Sequence, residues 1–251
     1  MRNHLLQKLN NRKALQQLFS KAKVKAIVYS CLLKLDSFNV ISHYDRGWEK
    51  YHTRKYKEII EDFDTAVALS PDSTTAYIKR GVAKLELNDL KGAMADFNKA
   101  ISLDRTSAVG YFHRGQTRFE IGDYQEAIED YDRAMNLNPG ITDAHYHRGI
   151  SKLAKGDIHG GIADLKIAIS VRPMFAAAYD NMGYAKSELK DVKGSMAEYS
   201  KAIEIDPLYA TAYFNRGMLY HALGNEEAAL SDLHKAGELG KQDAFVILAT
   251  I

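Results

Sequence analysis

The sequence predicts an all-α solenoid built from repeated helix pairs, and three observations predict it. Glycine recurs at Gly47, Gly81, Gly115, Gly149, Gly183 and Gly217, an interval of 34 residues without insertion or deletion. A strict period of this size marks units that cannot bury an apolar face alone and therefore stack on their neighbours. Counted from seven residues before each glycine, the copies begin at Val40, Thr74, Ala108, Thr142, Ala176 and Ala210, and two further sets of columns then align. Position 27 is alanine throughout (Ala66, Ala100, Ala134, Ala168, Ala202, Ala236), and position 24 is large (Phe63, Phe97, Tyr131, Leu165, Tyr199, Leu233). Position 20 is small except at Ile59 (Ala93, Ala127, Gly161, Ser195, Ala229), so paired helices can approach closely while the residue at 24 fills the gap. All four prolines fall at position 32 (Pro71, Pro139, Pro173, Pro207), where a residue without an N–H ends a helix.

Within a copy the local signals agree. In the third, Ala108 to Ile121 carries apolar residues at helical spacing, Gly122-Asp123 breaks the pattern, and Tyr124 to Leu137 resumes it before Asn138-Pro139-Gly140. No segment shows the alternation of a strand, and no βαβ unit is present to carry a nucleotide site.

These columns resemble the tetratricopeptide repeat family, with a large residue at 4, glycine or alanine at 8, small residues at 20 and 27, an aromatic at 24 and proline at 32. The third copy, Tyr111-Phe112-His113-Arg114-Gly115 through Tyr131, Ala134 and Pro139, matches most fully, and the resemblance spans residues 40 to about 243. It implies a right-handed superhelical solenoid of antiparallel helix pairs, whose first helices line a concave groove and whose usual activity is to hold peptides or proteins.

Taken in order, residues 1–39 precede the repeats. They carry eight basic residues against Asp36 alone, a net +7 that leaves −5 for the rest of a chain totalling +2. Leu15, Leu18, Phe19, Ala22 and Ala26 share a helical face, so the arm is expected to form helices that cap the solenoid. Two sharper readings stand beside this: an organelle-targeting presequence, and an arm that meets nucleic acid or an anionic membrane. A secretory signal fits poorly, since the apolar run Ala26 to Leu33 is short and no small-x-small cleavage site follows it. Repeats then run 40–73, 74–107, 108–141, 142–175, 176–209 and 210–243, and 244–251 opens in register with a seventh before stopping. That last segment is expected to be a short capping helix; left exposed, it would favour end-to-end dimers. Because neighbouring repeats share core, the array is expected to behave as one unit.

Composition, at 46% hydrophobic and 26% charged, is that of a folded soluble chain. The lone Cys31 excludes an internal disulfide and fits a reducing, cytoplasmic setting.

Charge is patterned within the repeats. Position 7 holds Arg46, Arg80, Arg114, Arg148, Met182 and Arg216, and position 11 holds Lys50, Lys84, Arg118, Lys152, Lys186 and Tyr220. A phosphate-binding stripe would read this way, but position 23 is acidic in every copy: Asp62, Asp96, Asp130, Asp164, Glu198 and Asp232. Ion pairs within each repeat, Arg80 with Asp96 for example, are the expected arrangement.

In the family, positions 5, 9 and 12 tend to face the groove. The candidate groove residues are Tyr44, Trp48 and Tyr51; Ile78 and Val82; Phe112 and Gln116; Tyr146 and Ile150; Asp180 and Tyr184; and Phe214 and Met218. Such a groove would hold a peptide by apolar and aromatic anchors, with Gln116 and Asp180 giving hydrogen bonds or a contact to a basic group. The competing reading makes Ile78, Leu85, Phe119 and Leu153 core between neighbouring repeats. Position 5 is never lysine, position 9 never asparagine and position 2 never lysine, so the pattern that clamps acidic chaperone tails is absent, although Asn181 and Asn215 do occupy position 6.

No phosphate loop, nucleophile elbow, paired-cysteine motif or His-Glu-x-x-His is present, and His145-x-His147 lacks a third ligand at suitable spacing. The expectation is a noncatalytic, cofactor-free scaffold that binds a protein or peptide segment in its groove. The alternative is association with nucleic acid or anionic membrane through the basic arm.

Overall fold

The computed structural model describes residues 46–250, with side chains from residue 56 onward. The arm, the side chains of Tyr44, Trp48, Tyr51, Arg46 and Lys50, and Cys31 lie outside the described residues. The described part is all helix: α1 (Arg46–Leu69), α2 (Thr74–Glu86), α3 (Leu90–Leu103), α4 (Ala108–Ile121), α5 (Tyr124–Leu137), α6 (Asp143–Ala154), α7 (Ile158–Val171), α8 (Ala176–Glu188), α9 (Val192–Ile205), α10 (Ala210–Ala222), α11 (Glu226–Glu238) and α12 (Gln242–Leu248). Two compact units divide between Thr117 and Arg118, inside α4. In the first, α2 packs on α1 and α3; in the second, α6 through α12 pack each on the next in an all-α solenoid. No helix among the described residues is long and apolar enough to cross a membrane.

The turn inside each pair follows from position 15. That residue is Asn88, Gly122, Gly156, Lys190 or Gly224, and each has a positive φ, from 58° at Asn88 to 94° at Gly122. The left-handed residue lets the following amide reach back five residues, Asp89 N–H to Lys84 C=O at 2.8 Å and Asp157 N–H to Lys152 C=O at 2.9 Å, which closes the first helix. The same following residue caps the second helix: Asp89, Asp157 and Asp191 each accept from the amide three residues on at 2.9 Å, in each case that of a glycine. Asp123 makes no such bond, and it faces Glu126 in place of glycine.

The first copy has Arg54-Lys55 at these positions, without the Asp or Asn that follows the turn residue in every later copy. Accordingly α1 is one uninterrupted helix of 24 residues where later copies have a pair.

The second connection is set by an Asp or Asn in extended backbone. Asp104, Asn138 and Asp206 each accept, through Oδ1, the amide two residues on at 2.8–3.0 Å. Asp104 does so with Arg105 following it where four other copies have proline, helped by the Thr106 hydroxyl at 2.6 Å.

The core is the small-against-large pattern made solid. Phe97, Tyr131, Leu165 and Leu233 are fully buried beside fully buried Ala93, Ala100, Ala127, Ala134, Ala229 and Ala236. The approach is closest at glycine: a Cβ on Gly81 would stand 2.7 Å from Phe97 Cε1, and one on Gly183 2.7 Å from Tyr199.

The charged columns pair as their spacing predicts. Arg80 holds Asp96 through Nε (2.9 Å) and Nη2 (2.5 Å), Arg148 holds Asp164 (Nε, 2.8 Å), and Arg216 holds Asp232 (2.7 and 2.9 Å). Lys84 and Lys152 join Asp96 and Asp164 at 2.8 Å, and Arg118 holds Asp130 at 2.6 Å. Each arginine also reaches position 25 of the preceding repeat: Arg80 to Asp64 (2.7 Å), Arg114 to Asn98 (2.9 Å), Arg148 to Asp132 (2.5 Å) and Arg216 to Ser200 (3.0 Å). Burial pushes the Asp164 carboxyl up, but the hydrogen bonds and charges of Arg148 and Lys152 outweigh it and hold the group below the usual carboxylate range.

Candidate binding site

The predicted groove residues fall into three environments. In the first unit Ile78 is buried, with Val82 and Leu85 half-buried, against Tyr77, Ala93 and Phe97. Phe112 stands edge-on to His113 at 5.2 Å, and Gln116 Oε1 lies 2.8 Å from His113 Nδ1. His113 lies flat on Phe97 at 5.7 Å, and burial pulls its imidazole down to about 4, so the ring is neutral at physiological pH. These residues form a packed aromatic layer.

In the second unit Tyr146 and Ile150 pack with Leu153, Leu165, Phe175 and Met182, and the Tyr146 ring meets Phe175 at 4.6 Å. Phe214 and Met218 pack with Leu233, Ala236 and Ala244, so that Ala244 docks α12 on its neighbours while Phe245 and Val246 stay exposed. Tyr184 is different: it is 43% exposed.

Asp180 is different again. It lies one turn before Tyr184 on α8, so both share a face. The helix is alanine-rich, with Ala176, Ala178 and Ala185 buried, and the first helices α6 and α10 touch it on either side. Asp180 is only 4% exposed, and Asn215 Nδ2 donates to its Oδ1 at 2.9 Å. One repeat earlier Asn181 Nδ2 donates to the Tyr146 hydroxyl at 3.3 Å. Both bonds span 35 residues, one more than the repeat, and link position 6 of one copy to position 5 of the copy before. Sequence reasoning missed this ladder; its signal was asparagine at position 6 in two successive copies.

Among the described residues, every other acidic residue that is buried as a whole has a cation. Asp96 meets Arg80 and Lys84, Asp130 meets Arg118, Asp164 meets Arg148 and Lys152, and Asp232 meets Arg216. Among the described residues Asp180 alone is buried with no lysine or arginine at ion-pair distance. Burial pushes its carboxyl up to about 6, against the opposing effects of the Asn215 hydrogen bond and the charge of Lys241. Lys241 itself pairs with Asp243 at 2.8 Å and lies 5.3 Å from the Phe214 ring centre.

Two family models match the chain: one described as TPR repeat, over residues 115–156 and 187–224, and one described as tetratricopeptide repeat, over 74–107 and 210–239. The chain belongs to the tetratricopeptide repeat family. Solved structures agree. A MamA protein is 25% identical with a TM-score of 0.57, the match covering 69% of this chain and 95% of that one. YrrB, described as a TPR protein with an unusual peptide-binding site, is 22% identical with a TM-score of 0.57, covering 75% and 97%. A tetratricopeptide repeat protein from Parabacteroides merdae is 20% identical with a TM-score of 0.64, covering 78% and 77%. The latter two share the fold alone. A comparison with curated proteins gave no match. Tetratricopeptide repeat proteins in general bind protein or peptide partners, and this chain is a protein-interaction scaffold. Among the described residues no three His, Cys, Asp or Glu side chains gather as metal ligands would.

Proposed function

We propose that this tetratricopeptide scaffold recruits a protein by holding a peptide segment against the face of α6, α8 and α10 that carries positions 5 and 9. One observation carries the reading: on α8 an exposed aromatic ring, Tyr184, sits one turn from a buried carboxylate without a protein cation, Asp180. An exposed ring beside a buried polar group, flanked by apolar surface, is the composition of a binding hot spot. The second helices offer no equivalent, since their buried acids are taken up by Arg80, Arg118, Arg148 and Arg216. The lone Cys31 suits a reducing compartment, and we place the protein in the cytoplasm.

Affinity capture from a native extract tests this with three forms: intact, lacking residues 1–39, and carrying Tyr184→Ala with Asp180→Asn, each checked for helicity. The reading requires a partner retained by the first two forms and lost by the third. Capture lost with the arm alone, and weakened by salt, moves the function to the +7 segment and to an anionic partner.

A further inference from the structure

We infer that Asp180 is the recognition point for a basic side chain, lysine or arginine, of the bound peptide. The inference rests on the peptide-binding reading above and names the chemistry of one anchor.

A buried charge is costly unless paired, and this chain pairs its buried carboxylates consistently. At Asp96, Asp164 and Asp232 the cation comes from the same repeat, through position 7. At Asp180 no such cation is provided. Asn215 satisfies Oδ1 with a neutral donor, and Oδ2 accepts no hydrogen bond, although it is not among the buried polar atoms left without a partner. Oδ2 therefore retains contact with the surface. An ammonium or guanidinium donating to it would complete a pair that Asn215 already orients, and a charge-assisted bond at so dry a site is stronger than one at an exposed carboxylate.

The surroundings suit the stem of such a side chain as well as its head. Tyr184 exposes its ring one turn along α8, and Phe214 and Tyr146 stand on the adjoining helices. An aromatic face beside a carboxylate favours a long aliphatic stem ending in a cation. An acidic peptide is disfavoured by the same carboxylate. A metal ion would need more oxygen ligands than one aspartate supplies.

Random dodecapeptides displayed on phage, selected on the whole chain, supply the probe. The tightest binder is synthesised, and each lysine or arginine in it is replaced in turn by norleucine. One replacement should weaken binding about tenfold or more on the native protein and less than about twofold on Asp180→Asn, the signature of direct coupling. Should Asp180→Asn lose helicity, Tyr184→Ala at an exposed position replaces it, and the preference for lysine over norleucine should then fall. Equal losses on native and variant proteins, or tight binders with no basic residue, overturn the inference and leave the peptide-binding reading standing. Failure to select any peptide overturns both.

Discussion

Arg148 joins the second helices of two successive repeats: its Nε–H and one Nη group hold Asp164, sixteen residues on, and its Nη1 holds Asp132, sixteen residues back. The pair with Asp164 is almost dry, with the acid side chain 3% exposed, whereas Asp132 is 47% exposed and contributes little. The fifth repeat shows the arrangement solved another way. Met182 replaces the arginine, position 25 of the repeat before is Lys166, and the acid lengthens to Glu198, which reaches Lys186 at 2.6 Å with 20% of its side chain exposed. A third cation there would face Lys166.

Arg148→Met should therefore destabilise by about 3 kcal/mol, because Asp164 stays buried with Lys152 as its remaining close cation and His145 Nδ1 farther off at 3.6 Å. Arg148→Met with Asp164→Glu should recover part of the loss by copying the fifth repeat. Urea unfolding followed by helix circular dichroism measures both, and equal midpoints for native and single variant would contradict the account.

The glycine column separates into tight and tolerant members. A Cβ on Gly183 would meet the Tyr199 ring at 2.7 Å, while one on Gly149 would meet its nearest atoms at 3.2–3.4 Å. Gly183→Ala should cost about 1–3 kcal/mol by overpacking. Gly149→Ala should stay within about 1 kcal/mol of native, since the gain in helix propensity offsets mild crowding. Thermal unfolding of the two variants, side by side, shows whether the residue at position 24 sets the difference.

Lys190 occupies the left-handed corner, φ 63°, that glycine takes in three other copies. Lys190→Gly should stabilise by about 1 kcal/mol by relieving the Cβ strain. A lower melting temperature for the variant would contradict this.

Much of this was legible in the sequence and some was not, for physical reasons. The period, the small-against-large columns and the pairing of positions 7 and 23 need only spacing, because a helix pair of constant length brings the same columns together every time. The arginine contacts to Asp64, Asn98 and Asp132 were not legible, since position 25 changes chemistry from copy to copy. The uninterrupted α1 could have been read from Arg54-Lys55, where the Asp or Asn that caps the second helix in later copies is missing. Of the candidate groove residues, Ile78 lies in the core and Tyr184 at the surface although both occupy the same face by column. Burial at positions 5 and 9 depends on what the neighbouring first helix presents, and one repeat does not contain that information.

Asp180 should give the stability curve a distinctive slope. The groups that act on it are Asn215, Lys241, Tyr146, Tyr199 and Tyr209, and burial pushes the three tyrosines upward, so they stay neutral over the range that matters. With its carboxyl near 6 in the folded chain against 3.8 ordinarily, the unfolded chain releases its proton first as pH rises. Asp180 therefore opposes folding increasingly from about pH 4 to 6, by on the order of 1–3 kcal/mol at pH 7.5. Asp180→Asn should be more stable than native at pH 7.5 and equal to it at pH 4, as thermal melts across that range would show. Lower stability of the variant at pH 7.5 would contradict an unpaired buried carboxylate there.

Amide hydrogen exchange on the whole chain, with and without a captured partner segment, tests the central claim most directly. The account predicts added protection in α8 and α10, along the stretch that holds Asp180, Tyr184, Phe214 and Met218, with α9 and α11 unchanged. Protection confined to residues 1–39, or to α9 and α11, would contradict it.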